Sequence, residues 1–401
     1  MKIELIERLS QQSSHKTLLC VLDGLGGLPG PDGLTALESA STPNLDKLAA
    51  KGSQGRTLPV GYGITPGSGP GHLALFGYDP LEYVIGRGAL EATGIDFILG
   101  PDDVVARGNF CDVNGNGIIT DRRAGRQSTE ITAGSCELLS RIKLSGIETF
   151  VLPVREQRFV LVLRGPNLSE SVSETDPQIE GVAPSVCGPL TGSVEAERTA
   201  SLIRRWVNAA HDLLKDREQG NGILLRGWSS RPNLPSFPEI WKTRAAACAV
   251  YPMYRGVASL AGMDVINAGA SLSEQIHEMT GQWNNFDFFF LHYKYADSAG
   301  EDGDFDAKVQ AIAEFDIHVP DLLSLNPEVI VVTGDHSTPA VMSGHSWHSV
   351  PTLIAGRHVR PDAQISFGER AAISGELGQF PANELLPIAF AHADKLAKFG
   401  A

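Results

Sequence analysis

Val329-Ile330-Val331-Val332-Thr333-Gly334-Asp335-His336 is the stretch that decides the fold. Its unbroken apolar and β-branched run describes a strand buried on both faces, and glycine ends it. An aspartate and a histidine follow side by side, where burial costs free energy unless they are paired or hold a metal. Two other stretches repeat the pattern: Thr17–Leu22 (TLLCVL) runs into Asp23-Gly24, and Phe286–Tyr293 (FDFFFLHY) runs on towards Asp297.

Helical patterns lie between these runs. Thr42-Pro43-Asn44 reads as a helix start, with Thr as cap and Pro in the first position. The helix LDKLAAKG is expected to close on Gly52 as a C′ glycine, and Asp306–Phe315 has helical spacing. Strand and helix alternation implies an α/β fold of layered helices on a largely parallel sheet. Ligands of such sheets bind at the carboxyl edge, where all three strands deliver acidic or His residues.

The texture changes from about Arg107 to Arg231. Phe159-Val160-Leu161-Val162-Leu163 suggests hairpins, and Val194–Lys215 reads as one long helix. This describes a smaller α+β insertion at 107–231, interrupting an α/β domain made of 1–106 and 232–401. No internal repeat is visible.

The 401 residues are 42% hydrophobic and 20% charged, as expected of a folded chain of two domains. With 47 acidic and 33 basic residues the formal charge is −14, which disfavours nucleic acid and anionic membranes as partners. Five cysteines without CxxC spacing suit a reducing compartment. The N-terminal MKIELIERLSQQSSHK lacks the apolar run of a signal peptide, and no stretch has the length of a membrane span. A cytoplasmic location is therefore expected.

Two motif-like stretches fail on inspection. Gly24-Leu25-Gly26-Gly27-Leu28-Pro29 follows a strand, but the third glycine of a dinucleotide fingerprint would fall on Pro29. Asp112-Val113-Asn114-Gly115-Asn116-Gly117 opens like a calcium loop, yet the required bidentate Glu is Arg123. Asn-Gly there reads as a hairpin turn.

Four segments carry candidate chemistry: Asp23, the GSGPGH segment around Ser68, Asp297 with Glu301, and Asp335-His336 with His345 and His348. Each alone has an ordinary reading as a turn or loop. Together Asp23, Ser68, Asp297, Glu301, Asp335, His336 and His345 offer the oxygen and nitrogen donors that two divalent ions need. With no cysteine involved, a structural zinc site is disfavoured. Paired cations suit phosphoryl transfer, and a serine in their shell becomes a nucleophile.

The chain resembles the archaeal-type cofactor-independent phosphoglycerate mutases of the alkaline phosphatase superfamily. The likeness rests on Asp23-Gly24-Leu25-Gly26, Thr42-Pro43-Asn44-Leu45-Asp46, Gly67-Ser68 with His72, Gly77-Tyr78-Asp79-Pro80 and Gly86-Arg87-Gly88. It continues through Asp121-Arg122-Arg123-Ala124-Gly125-Arg126, Arg164-Gly165, Thr175-Asp176-Pro177, Leu225-Arg226-Gly227, Gly262-Met263-Asp264 and Asp335-His336-Ser337-Thr338. These occur in family order from about residue 17 to about 356.

The resemblance implies an alkaline-phosphatase-like three-layer domain that interconverts 3-phosphoglycerate and 2-phosphoglycerate, in glycolysis and gluconeogenesis, through a phosphoserine on Ser68. It places Asp23, Ser68, Asp335 and His336 on one metal, and Asp297 and His345 on the other. It implies manganese, with magnesium, cobalt or zinc as substitutes. The candidates for holding the anionic substrate are Arg87, Arg122, Arg123, Arg126, Arg164, Arg226 and His72, with Arg244 where the family has a Lys. His72 reads equally well as a helix-start residue. Closure of the insertion over the site is expected to exclude water.

Three departures are visible. Position 301 is Glu where the family motif Asp-x-x-x-His has His, which hardens that site. GSGPGH and HSWHSVP also differ from the usual segments. A related phosphatase, a mutase of another phosphometabolite, a homoserine-kinase-like enzyme and a non-catalytic metal-binding protein therefore stay open.

Overall fold

The computed structural model describes residues 3–400 and divides the chain into two compact units, Met1–Val84 with Leu234–Ala401, and Ile85–Asn233. In chain order the strands are β1 (Thr17–Leu22), β2 (Gly52–Leu58), β3 (Asp103–Val113), β4 (Ile119–Asp121), β5 (Glu148–Pro153), β6 (Arg158–Arg164) and β7 (Gly222–Ser230). They continue as β8 (Ala245–Cys248), β9 (Asp264–Val265), β10 (Phe288–Tyr293), β11 (Val329–Thr333), β12 (Val350–Gly356) and β13 (Gly378–Pro381).

The first unit is built on an eight-stranded sheet in the order β13-β2-β12-β11-β1-β10-β8-β9. β12 is antiparallel to both neighbours, and every other pairing is parallel. The three apolar runs of the sequence are its centre. β1 lies between β10 and β11, with Leu22 opposite Tyr293 and Val21 opposite Thr333. These strands therefore end level, and the loops that follow them emerge at one edge. β12 returns from that same edge, which brings His345 to it.

Helices cover both faces of the sheet. On one face Leu18, Leu22, Leu291 and Val332 pack with Leu45, Ile276, Ile312 and Phe315. On the other, Phe288 meets the rings of Phe237 and Phe390, and Phe290 meets Phe76. Each such buried side chain contributes roughly 1.5–3 kcal/mol. That apolar burial holds the titratable strand ends in place. The expected three-layer α/β architecture with a largely parallel sheet is the one observed.

The helix at Thr42-Pro43 runs Pro43–Ala49, but Gly52 is not its cap. Gly52 opens β2, where a Cβ would stand 2.5 Å from the Ile354 carbonyl oxygen. Close strand approach, rather than a left-handed turn, requires glycine there. The acidic stretch after β10 is likewise no solvated turn: Tyr295–Glu301 is a helix with Asp297 buried inside it.

The second unit is an antiparallel sheet, β4-β3-β6-β5 with β7 also on β3, covered by the helix Val194–Leu214. Trp206 and Ile203 of that helix join Phe110, Phe159 and Leu225 in its core. Asn114 takes bonds from the amides of Asn116 and Ile118 and closes the β3–β4 turn. The unit starts at 85 rather than 107 because the helix Arg87–Gly94 belongs to it. A Cβ on Gly88 would lie 2.5 Å from the Val105 carbonyl oxygen, and the Ala89 amide donates to Ser229 Oγ. Its other limit, 233, falls two residues past the expected 231. Among the described residues no helix is long and apolar enough to cross a membrane.

Candidate metal centre

Three loops and two helices converge at the carboxyl edge of the large sheet. Asp23 follows β1 and is anchored by its amide, which donates to the Tyr293 carbonyl. Gly24 adopts φ +64°, and a Cβ on it would press within 2.6 Å of Thr338 Oγ1 and 2.7 Å of Asp297 Oδ1. Its amide donates to Asp335 Oδ1 at 3.2 Å. The helix Ser68–Leu75 presents Ser68 as its first residue, and Ser68 Oγ lies 3.2 Å from His336 Nε2. His336 Nε2 is 3.2 Å from Asp335 Oδ2 and 3.4 Å from Asp23 Oδ1.

A second set adjoins the first. His345 Nε2 is 3.6 Å from Asp297 Oδ1 and 3.6 Å from Glu301 Oε1. His345 Nδ1 sits 3.0 Å from the Pro66 carbonyl, which fixes the ring. Thr338 Oγ1 donates to Asp297 Oδ1 at 2.6 Å and lies 3.0 Å from His336 Nδ1.

Asp23, Asp297 and Asp335 are fully buried. Burial alone would raise the Asp23 carboxyl, yet Lys294, His292 and His336 together hold it well below the usual range. Burial and the Asp23 charge push Asp297 up instead. His345 is raised to about 9: burial opposes its charge, but the Glu301 carboxylate and the Pro66 carbonyl prevail.

Asp23 Oδ1 and Asp335 Oδ2 are buried without an aligned hydrogen bond, meeting imidazole nitrogens at 3.2–3.4 Å. Such orphaned carboxylate oxygens are expensive in a protein but suit a cation. The donor atoms of Asp23, Asp335 and His336 lie within 4.8 Å of one another, as do those of Asp297, His336 and His345. The residues therefore fit divalent cations, with carboxylate oxygens and imidazole nitrogens as donors.

In the smaller unit, Arg122 makes a forked pair with Asp176, whose oxygens lie 2.7–3.1 Å from its nitrogens. Arg226 Nε is 3.8 Å from the same carboxylate. Arg107 pairs with Glu91 at 3.1 Å. Burial lowers Arg107 to about 9 against the pull of Glu91, and Arg87, Arg158 and Arg226 add to the lowering. Arg87, Arg107, Arg122, Arg158 and Arg226 thus gather with too few carboxylates to neutralise them. An anion would relieve that repulsion.

Known proteins are similar to this chain over its whole length. A family profile described as 2,3-bisphosphoglycerate-independent phosphoglycerate mutase matches residues 49–219. A Thermotoga neapolitana protein named "Probable 2,3-bisphosphoglycerate-independent phosphoglycerate mutase" is 46% identical over 402 aligned residues, covering 100% of this chain and 99% of its own. An Aquifex aeolicus protein of the same name is 44% identical with complete coverage of both. The chain belongs to the 2,3-bisphosphoglycerate-independent phosphoglycerate mutase family. A solved Pyrococcus horikoshii protein is 31% identical with a TM-score of 0.83, covering 96% of this chain and 99% of that one. A cofactor-independent phosphoglycerate mutase from Thermoplasma acidophilum is 28% identical with a TM-score of 0.70, covering 94% and 99%.

In this member of the mutase family the seven candidate ligands, Asp23, Ser68, Asp297, Glu301, Asp335, His336 and His345, fall in one cluster. Three other candidates have partners within the protein. His72 is fully buried, 2.8 Å from the Ser68 carbonyl and 3.2 Å from Asp335 Oδ2. Asp335 outweighs burial and raises the imidazole, so His72 props a carboxylate instead of facing substrate. Arg164 is forked onto Asp103 and lies over the rings of Phe97 and Phe150. Arg244 precedes β8, at the opposite edge of the sheet, forked onto Asp287 beside a cavity of about 650 Å³. Arg123 and Arg126 are exposed on the turn that Asp121 ties together.

Two residues near the mutase-family cluster were missed. His292 Nε2 is 3.1 Å from Asp23 Oδ2 and its ring stacks on Tyr254. Lys294 is 3.2 Å from Asp23 Oδ2 and bonds Asp297. The signal was a His inside an otherwise apolar strand and a Lys just beyond it.

Proposed function

We propose that this chain interconverts 3-phosphoglycerate and 2-phosphoglycerate by metal-dependent phosphoryl transfer, with Ser68 as nucleophile. The observation that carries the reading is Ser68 Oγ, 3.2 Å from His336 Nε2, inside a shell whose Asp23 and Asp335 each keep an unsatisfied buried oxygen. A hydroxyl so placed is exposed to the charge of any cation those oxygens hold.

Bound divalent ions supply charge neutralisation for the phosphoryl group and stabilise the deprotonated serine oxygen. Asp23, Asp335 and His336 would hold one, and Asp297, Glu301 and His345 the other. Manganese suits these oxygen-rich sets, and magnesium shares the preference. Ser68 Oγ forms a bond to phosphorus as the ester bond to the glycerate oxygen breaks. The departing alkoxide takes a proton. The other hydroxyl of the same glycerate then attacks the phosphoserine, loses its proton, and restores Ser68. Water takes no part in that balance, so phosphate is conserved. Lys294, next to Asp23 and Asp297, holds positive charge at the site throughout.

Within the smaller unit, the cluster of Arg87, Arg107, Arg122, Arg158 and Arg226 is the group suited to an anion. A role in glycolysis and gluconeogenesis, and with it a cytoplasmic location, follows from this reaction. The test supplies 3-phosphoglycerate with Mn2+ and follows both isomers and inorganic phosphate. Formation of 2-phosphoglycerate without phosphate release supports a mutase, whereas phosphate release alone points to a phosphatase. Mass spectrometry of the quenched enzyme should find the phosphoryl group on Ser68.

A further inference from the structure

Lys308 is a fully buried lysine on the helix Phe305–Ile317. Its Nζ donates to three backbone carbonyls: Gly24 at 2.7 Å, Gly26 at 3.1 Å and Thr338 at 2.7 Å. The first two belong to the loop that carries Asp23, and the third to the loop that carries Asp335 and His336. The ammonium has three protons, and these acceptors take all of them. Burial pulls its pKa down to about 8, while Glu369, Asp297 and Asp23 favour the charged form.

We infer that Lys308 is a positioning residue, whose ammonium fixes the spacing of the two loops so that Asp23 and Asp335-His336 form one ligand set. Three further contacts show how little slack the loops have. The Thr338 amide donates to the Gly26 carbonyl at 3.0 Å, so the loops also pair directly. A Cβ on Gly26 would collide with Ser337 Oγ at 1.9 Å. A Cβ on Gly300, in the helix that carries Asp297, would stand 2.4 Å from the same Thr338 carbonyl that Lys308 holds. A shift of that carbonyl is therefore felt by both candidate ligand sets.

Charge and geometry predict opposite signs, which makes the role separable. As a bare positive charge near Asp23 and Asp297, Lys308 repels divalent cations, and its removal would tighten their binding. As a tripod it prepays the ordering of the loops, and its removal loosens binding. The tripod dominates, because three charge-assisted bonds end on the loops while the cation–cation repulsion is spread over bound carbonyl dipoles.

This inference rests on the two-metal reading. The test is Mn2+ affinity, read from the electron paramagnetic resonance of unbound Mn2+, in the full chain and without substrate. Lys308→Met keeps the length of the side chain and loses the donors; it should lower affinity by about tenfold. The control is Lys395→Met, an equally buried lysine bonded to the Ser13 carbonyl and Thr243. It should lose comparable thermal stability with affinity unchanged.

Affinity in Lys308→Met that is raised, or reduced by no more than about threefold, overturns the proposal. So does an equal loss in Lys395→Met. Should Lys308→Met fail to fold, Lys308→Gln, whose amide keeps two N–H donors, is judged by the same threshold. Absence of Mn2+ binding in the parent overturns the metal reading itself; binding in the parent that the variant matches overturns only the role of Lys308.

Discussion

Gly71 is pressed against Asp335: a Cβ at position 71 would stand 2.4 Å from the Asp335 carbonyl oxygen. That approach lets the helix Ser68–Leu75 sit directly on the loop after β11, and it sets Ser68 within 3.2 Å of His336. Gly71→Ala is expected to push the helix back while leaving the nucleophile intact. Activity should fall by about a hundredfold or more, as misplacement of reacting groups by an ångström commonly does. Equal turnover in Gly71→Ala and parent, at matched folding, would show that the contact does not position Ser68.

Removal of the hydroxyl itself is the stricter test. With the proposed role of Ser68 as the phosphoryl acceptor, Ser68→Ala should lose about a thousandfold or more of the mutase activity. The fold should be untouched, since the hydroxyl's polar contact within the protein is the one to His336. Quenched samples should lose the phosphoserine signal along with the activity.

Much of this site was legible in the sequence, and physics explains which part. Parallel strands buried on both faces leave unbroken apolar runs, so β1, β10 and β11 stood out, and with them the residues at their ends. Glycines around Ser68 and after Asp23 marked backbone approaches that no helix or strand propensity explains. The pairing of Arg164 could not be foreseen because its partner, Asp103, is distant in sequence. The error over Arg244 was avoidable: a residue that precedes a parallel strand lies at its amino edge, away from the ligands. His292 hid in an apolar run because aromatic stacking on Tyr254 makes it behave as core. Lys308 could have been found, since it falls at helical spacing with Ala311, Ile312 and Phe315, on the buried face.

Glu301 offers a change of metal preference. Its carboxylate is about half exposed, 3.6 Å from His345 Nε2, and the nearby imidazole holds its pKa down. A second carboxylate donor favours Mn2+ and Mg2+, whereas a second imidazole favours Zn2+. Glu301→His should therefore raise Zn2+ affinity relative to Mn2+ by about tenfold, measured by competition in the same sample. An unchanged ratio would place Glu301 outside the ligand set.

Arg226 tests the cationic cluster of the smaller unit. It shares Asp176 with Arg122, and burial, with Arg87 next in size, lowers its pKa. Arg226→Ala leaves the Arg122–Asp176 fork in place, so the unit should still fold. Loss of one charge-assisted contact to a carboxylate should raise KM by about tenfold or more. A change in kcat alone, with KM constant, would assign Arg226 to another step.

Glu369 gives stability a pH dependence with a definite sign. Its carboxylate turns inward to accept from the Gly27 amide and from Thr35 Oγ1. Burial raises it from 4.5 to about 7, although the Thr35 and Gly27 bonds work the other way. The folded chain therefore binds this proton more tightly than the unfolded chain does. The stabilisation is complete below about 4.5 and is lost as pH rises through about 7. Its size is roughly 1–3 kcal/mol, since a tenfold gain in proton affinity corresponds to about 1.4 kcal/mol and water partly reaches the residue. Glu369→Gln keeps the shape without the titration. Urea unfolding of metal-free parent and variant at pH 5 and pH 8 should show the variant gaining on the parent as pH rises. Other groups titrate alike in both proteins and cancel in the difference. A difference that stays constant across that window would mean that Glu369 is ionised in the folded chain throughout.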